Sequence, residues 1–273
     1  MIISVCSPRR GLGQTITCIN IAETVSKLTQ KRTLVIDTDK NFSDVEYYLG
    51  NTGVAKGLDD YCSLYRSNLL SDGMFSICSK NVNEMIDIMS ANRCYELSKD
   101  EIATLCKYIG NAYSNSLIDL ATTATGYFEA SDKIIVLLNQ AAGTINRFLA
   151  LAQFFEPVKD RIVFVINNYT KKIDYGKSRI KRDLKKAGFN NEIFTLSFEP
   201  WLANDINKGN IFNYPVNGKR DQGSYFQEIE NLACYILDFK RDDKSEKVKR
   251  NWLGFINNII NNRLIVRHEK TNY

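Results

Sequence analysis

Short apolar runs rich in β-branched residues recur along the chain, separated by stretches whose apolar positions repeat at helical spacing. The pattern predicts strands at 2–6, 33–37, 84–89, 115–120, 133–138, 161–167 and 193–196. It predicts helices at 15–28, 99–112, 145–155 and 177–187. The unbroken apolar stretches Leu34 to Ile36 and Ile134 to Leu138 suit strands covered on both sides rather than half-exposed ones. Strands alternating with amphipathic helices give an α/β fold: a doubly wound, mostly parallel β-sheet with helices on both faces. The composition changes sharply at 240–250, KRDDKSEKVKR. This divides the chain into a domain over 1–240 and a tail over 241–273, a basic linker followed by an amphipathic helix.

In an open parallel sheet, ligands bind beyond the carboxyl ends of the strands. The residues to inspect are therefore Ser7 to Thr15, Asp37, Thr38, Asp39 and Asp119, which follow or end three of the predicted strands. The first of these, SPRRGLGQT, runs from a strand into a helix. Gly11 and Gly13 permit a tight turn that aims backbone amides at an anion. The helix N-terminus adds partial positive charge, and Thr15 supplies a hydroxyl suited to a phosphate-bound Mg²⁺. Each acid alone reads equally well as a surface or capping aspartate. Their joint placement at strand ends favours a site in which they meet Mg²⁺ through water.

Composition narrows the rest. Hydrophobic residues at 44% and charged residues at 25% are ordinary for a globular protein. The seven cysteines form no C-x-x-C pair, which favours reduced, buried thiols and a cytoplasmic setting. With a single histidine, His268, a histidine-based metal site or a Ser-His-Asp triad is excluded. No stretch reaches the ~20 apolar residues of a membrane span, and the short run before Ser7 is no signal-peptide core. The net charge of +5 permits an anionic partner without requiring one.

Residues 9–22, RRGLGQTITCINIA, resemble the deviant Walker motif of the ParA/MinD P-loop NTPases, roughly KGGVGKTTxxxNLA. Residues 33–50, TLVIDTDKNFSDVEYYLG, together with GLDDY at 57–61, are similar to one branch, the CpaE/TadZ-like proteins of Tad (Flp) pilus assembly. Ser114 to Asp119 resembles the Walker B strand, Val165 to Asn167 a late strand ending in asparagine, and Phe198 to Pro200 the adenine-side loop. The resemblance implies a ParA/MinD-like fold that binds ATP or ADP with Mg²⁺ and pairs as a homodimer through the nucleotide face. It implies that Arg10, Gly11, Leu12, Gly13, Gln14, Thr15 and Ile16 cradle phosphates, and that Asn167 and Pro200 border the adenine. Thr15, Asp37 and Asp119 would serve the metal. Asp39 would position the attacking water, and Arg9 matches the lysine that reaches across to the partner's nucleotide.

Three positions depart from that pattern. Pro8 replaces a small residue. Arg10 replaces a glycine, which would tighten or block the loop if a positive φ were required there. Gln14 replaces the lysine that bridges phosphates, so the loop keeps a donor and loses a charge. That loss should remove ~2–4 kcal/mol of transition-state stabilisation. CpaE/TadZ-like proteins often lack this lysine too. The resulting expectation is a positioning or assembly factor with weak or absent hydrolysis, serving a pilus or secretion machine and its assembly proteins, with polar localisation. Two alternatives stand beside it: a ParA-type partition ATPase binding non-specific DNA, and a nucleotide-free structural scaffold.

Two further segments carry partner expectations. From Lys171 to Lys186 the chain reads KKIDYGKSRIKRDLKK, with eight basic residues in sixteen. This is either a solvated helix face or a DNA contact. From Trp252 to Arg267 most apolar residues gather on one half of a helical wheel and the asparagines on the other, with Arg263 on the apolar side and Ile265 on the polar side. Such a helix packs on its own domain, on a dimer partner, or on a membrane surface as a peripheral anchor.

Overall fold

The computed structural model describes residues 1–39, 43–49, 57–91, 97–120, 125–207, 211 and 224–239. The linker and amphipathic tail expected beyond residue 240 lie outside these.

Eight strands form one sheet: β1 (Ile2–Cys6), β2 (Thr33–Asp37), β3 (Lys80–Asn81), β4 (Ile86–Ser90), β5 (Asn115–Asp119), β6 (Lys133–Leu138), β7 (Ile162–Tyr169) and β8 (Ile193–Ser197). Their spatial order is β3-β4-β2-β5-β1-β6-β7-β8, with β3 antiparallel and every other pair parallel. The helices are α1 (Gln14–Thr29), α2 (Asp44–Tyr48), α3 (Leu58–Arg66), α4 (Asp72–Phe75), α5 (Lys99–Ala112), α6 (Ala142–Ala150), α7 (Ala152–Phe155), α8 (Lys177–Lys186), α9 (Pro200–Asn207) and α10 (Ser224–Ile236). This is the doubly wound α/β architecture that the alternating pattern predicts.

Strand residues alternate between two cores. Leu34, Ile36, Ile118, Ile134, Val136 and Phe164 face α3, α5, α6 and α8 on one side. Ile3, Val5, Val35, Leu117, Ile135 and Val165 face α1 and α10 on the other. Because both faces are covered, β1, β2, β4 and β5 are buried along their whole length. Full burial of each such aliphatic side chain stabilises the fold by roughly 1.5–3 kcal/mol.

All seven predicted strands form, with the third shifted to Ile86–Ser90. The helix expected over 145–155 starts earlier and divides into α6 and α7, with Leu151 at the joint. The unpredicted β3 has only two residues and edges the sheet, too short to carry a pattern. Helices α2, α3, α4, α9 and α10 are also new. In α10, Tyr225, Ile229, Leu232, Ala233 and Ile236 are buried, a clear helical repeat. In α2, Ser43 caps the helix by accepting from the Glu46 amide, a Ser-x-x-Glu start signal.

The order β2-β5-β1 has the consequence that matters most. It sets the carboxyl ends of three strands side by side, with Asp37 directly opposite Asp119 in the β2–β5 register and Val5 opposite Asp119 in β1–β5.

Candidate functional site

The loop between β1 and α1 lies at these three strand ends. Gly11 and Gly13 take left-handed backbone angles, φ 79° and 80°. A side chain at Gly13 would be strained by that angle, and its Cβ would stand 2.5 Å from Asn167 Nδ2. Gly13 caps α1 without a side-chain hydrogen bond, and the first turn holds no acidic residue. The amides of Gln14, Thr15 and Ile16 therefore have no helical acceptor and point out of the helix start. Leu12 is buried and anchors the loop, while Arg9, Arg10 and Gly11 are exposed on its rim. Arg10 does not take a positive φ, so its side chain fits this backbone without strain. Pro8 is buried.

Gln14 turns inward. Its Nε2 lies 3.0 Å from the Val5 carbonyl, 2.5 Å from Asp119 Oδ1 and 2.6 Å from the Leu120 carbonyl. Its Oε1 accepts from the Ser7 hydroxyl at 2.8 Å, with the Arg9 carbonyl as close on the other side of that hydroxyl. The Thr15 side chain sits beside Asp119 and, with Gln14, pulls its pKa down. Asn167 donates from Nδ2 to the Leu12 carbonyl at 2.7 Å. A register irregularity between β7 and β8 and a positive φ at Asn168 bend the strand end where Asn167 meets the loop.

The acids are buried, Asp37 to 2% and Asp119 to 5% exposure. Asp37 Oδ1 accepts the Asp39 amide at 2.9 Å. Its Oδ2 accepts the Val45 amide at 3.2 Å and the Ser43 hydroxyl at 3.3 Å, so this carboxylate also holds the start of α2. Burial, and then the facing Asp119, push Asp37 up to about 7. Burial pushes Asp119 up to about 6, against the pull of Thr15 and Gln14. Two adjacent carboxyls in a dry place resist double ionisation and favour a cation between or beside them. Asp39 is more open and pairs with Arg10, Nη2 to Oδ2 at 3.1 Å. The Thr38 amide and hydroxyl both donate to the Asp119 carbonyl, at 3.1 and 2.9 Å, locking the β2 end to β5.

The structure thus brings together Arg10 through Thr15, Asp37, Asp39, Asp119 and Asn167. Arg9 stays on the rim, and Ile16 completes the first helical turn. Pro200 opens α9 after β8, three strands away from β1. Ser7 and Thr38 fall within the strand-end stretches chosen from the sequence and do join the site; Ser43 joined it without being singled out, although its Ser-x-x-Glu start signal was readable. Among the described residues no group of three or more His, Cys, Asp or Glu side chains could hold a metal by itself. A cation here would need a ligand that brings its own oxygens. The left-handed glycines, outward amides and Thr15–Asp119 pair fit a polyphosphate with its metal, with glutamine where an ammonium would carry charge.

The fold and the loop together define a P-loop α/β protein. No family model matches the chain, nor does any curated protein. Solved structures do. A ParA family ATPase from Chlorobium tepidum TLS superposes with a TM-score of 0.72 at 15% identity, covering 86% of this chain and 98% of that one. MinD in the MinC:MinD cell division complex of Aquifex aeolicus gives 0.70 at 16%, covering 89% and 98%. The septum site-determining protein MinD of Pyrococcus horikoshii OT3, complexed with Mg-ADP, gives 0.68 at 16%, covering 91% and 98%. The architecture is that of the ParA/MinD proteins, shared at the level of fold.

Away from the loop, all eight basic side chains between 171 and 186 are exposed, and only Ile180 and Leu184 of α8 are buried. With Asp174 and Asp183 as the only acids, eight minus two leaves a local charge of +6. No helix among the described residues is long and apolar enough to cross a membrane.

Proposed function

We propose that this chain is an ATP-binding positioning or assembly factor of the ParA/MinD type whose loop binds nucleotide but hydrolyses it weakly or not at all. The observation that carries this reading is the inward Gln14 in an otherwise complete phosphate cradle. Backbone amides after Gly13 would bind the β-phosphate, and Thr15 and Asp119 would hold Mg²⁺. The metal would neutralise phosphate charge when bound. Asp39 would position water, yet Arg10 holds it. The missing lysine removes ~2–4 kcal/mol from the transition state, a rate loss of hundreds-fold. Pairing through the nucleotide face, with Arg9 reaching across, follows from the same reading. A pilus or secretion machine as the cargo rests on the resemblance at 33–61 to CpaE/TadZ-like proteins.

Calorimetric titration with ADP and ATP, read beside sedimentation, tests this. One nucleotide per chain, ATP-dependent dimers and turnover far below one per minute are expected. Brisk turnover lost in Asp39→Ala would refute it. A second reading, a partition ATPase on DNA, is favoured by the exposed +6 segment; ATP-dependent DNA binding that falls steeply with salt would select it.

A further inference from the structure

Around Gln14 Nε2 stand three oxygen acceptors, from Val5, Asp119 and Leu120, all within 3.0 Å. An amide nitrogen has two hydrogens, so it cannot satisfy all three at once. An ammonium, with three donors, could. The Val5 carbonyl also accepts the Leu120 amide at 2.9 Å, so the two glutamine hydrogens go to Asp119 and the Leu120 carbonyl, and Gln14 is tied to Asp119 rather than directed at the mouth of the loop. The acid best suited to hold a metal is thus taken by Gln14, with the Thr15 side chain beside it. Outside them, Arg10 clasps Asp39, but two-thirds exposed and therefore loosely.

We propose that Gln14 is a positioning residue that latches the loop onto Asp119 and uncouples nucleotide binding from Mg²⁺. For a metal to use Asp119, the glutamine amide has to leave, stranding the Leu120 carbonyl without its donor, while the Val5 carbonyl keeps the Leu120 amide. The outward amides of α1 need no such rearrangement to receive phosphate. Nucleotide binds through the backbone, and the metal adds little. This inference rests on the nucleotide-binding reading above for its second half only; the latch itself rests on the contacts of Gln14 with Asp119 and the Leu120 carbonyl.

The experiment has two arms on the full-length chain. In the first, amide exchange is measured without nucleotide. Gln14→Ala should speed exchange across residues 7–14 at least tenfold while far-UV dichroism stays native. Gln14→Lys, which supplies three donors, should bring exchange back within about threefold of the native chain. Unchanged exchange in Gln14→Ala overturns the latch. In the second arm, ADP affinity is measured with Mg²⁺ and with a chelator. The native chain should differ by less than threefold between the two, and Gln14→Ala by tenfold or more. A native chain that gains tenfold from Mg²⁺, lost in Asp119→Asn, overturns the uncoupling. If ADP binds in neither condition, the nucleotide reading falls, and the exchange arm still decides the latch.

Discussion

Two parallel strands of this sheet, β1 and β7, deliver the chain through a loop and a glycine to a helix that has no side-chain N-cap and no acid in its first turn. The local designs are alike, and the outcomes are opposite. At Gly13 the backbone is left-handed and its neighbours converge: Gln14 donates to Asp119 and Asn167 donates to the Leu12 carbonyl, so the ends of β5 and β7 both hold the loop that leaves β1. At Gly176 the backbone is extended, φ −82°, and the side chains that follow spread into solvent. The first helix start is a site because non-neighbouring strands close around it. The second is a charged surface because α8 touches its core only through Ile180 and Leu184.

The largest expected contrast is in pH. Both Asp37 and Asp119 hold their protons more tightly folded than unfolded. Between the unfolded value near 3.8 and about 7, the native state binds more protons, so the nucleotide-free chain loses stability as pH rises. Denaturant unfolding from pH 4 to pH 7.5 should show a fall on the order of 2–4 kcal/mol, and Asp37→Asn should remove the part of it between about pH 6 and 7 while leaving the part due to Asp119. A flat native profile would mean that the acids are not paired in the dry place described.

Next comes the glycine pair. Gly13→Ala meets both a left-handed angle and Asn167, and should lower unfolding free energy by about 2 kcal/mol and nucleotide affinity at least tenfold. Gly176→Ala would have nothing nearer than Tyr169 Oη at 3.7 Å. It should change stability by less than about 0.5 kcal/mol. Equal effects at the two positions would erase the distinction between them.

A smaller effect is expected at the buttress. Asn167→Ala removes the donor to the Leu12 carbonyl and should cost about 1 kcal/mol, seen as a lower denaturation midpoint at constant slope. Smallest of all, Lys181→Gln with Lys185→Gln should leave stability within about 0.5 kcal/mol. If the surface meets a polyanion, the same pair should reduce the salt slope of heparin retention by roughly two counterions.

The fold was largely readable because buried parallel strands write themselves as apolar runs. Strand two illustrates this: Leu34, Val35 and Ile36 alternate between the two cores, yet all three had to be apolar. Helix α10 carries a helical repeat that was not read from the sequence, and β3 could not be read, since two residues hold no period. In the site, the glycines, Thr15 and the strand-end acids could be chosen because topology rules say where strand ends meet. The direction of Gln14 could not. Its acceptors come from β1 and from residues more than a hundred positions later, and only the assembled sheet brings them within reach. Likewise the ease with which Arg10 fits depends on its φ, which its identity does not reveal.

The three-oxygen socket also bears on how this loop can change over generations. Glutamine and lysine codons differ by a single base, so a charged occupant with three donors is one mutational step away. The neighbouring groups that would receive it, Asp119 and the two carbonyls, are already in place. A lineage carrying this chain could acquire a lysine at this position without remodelling the fold around it.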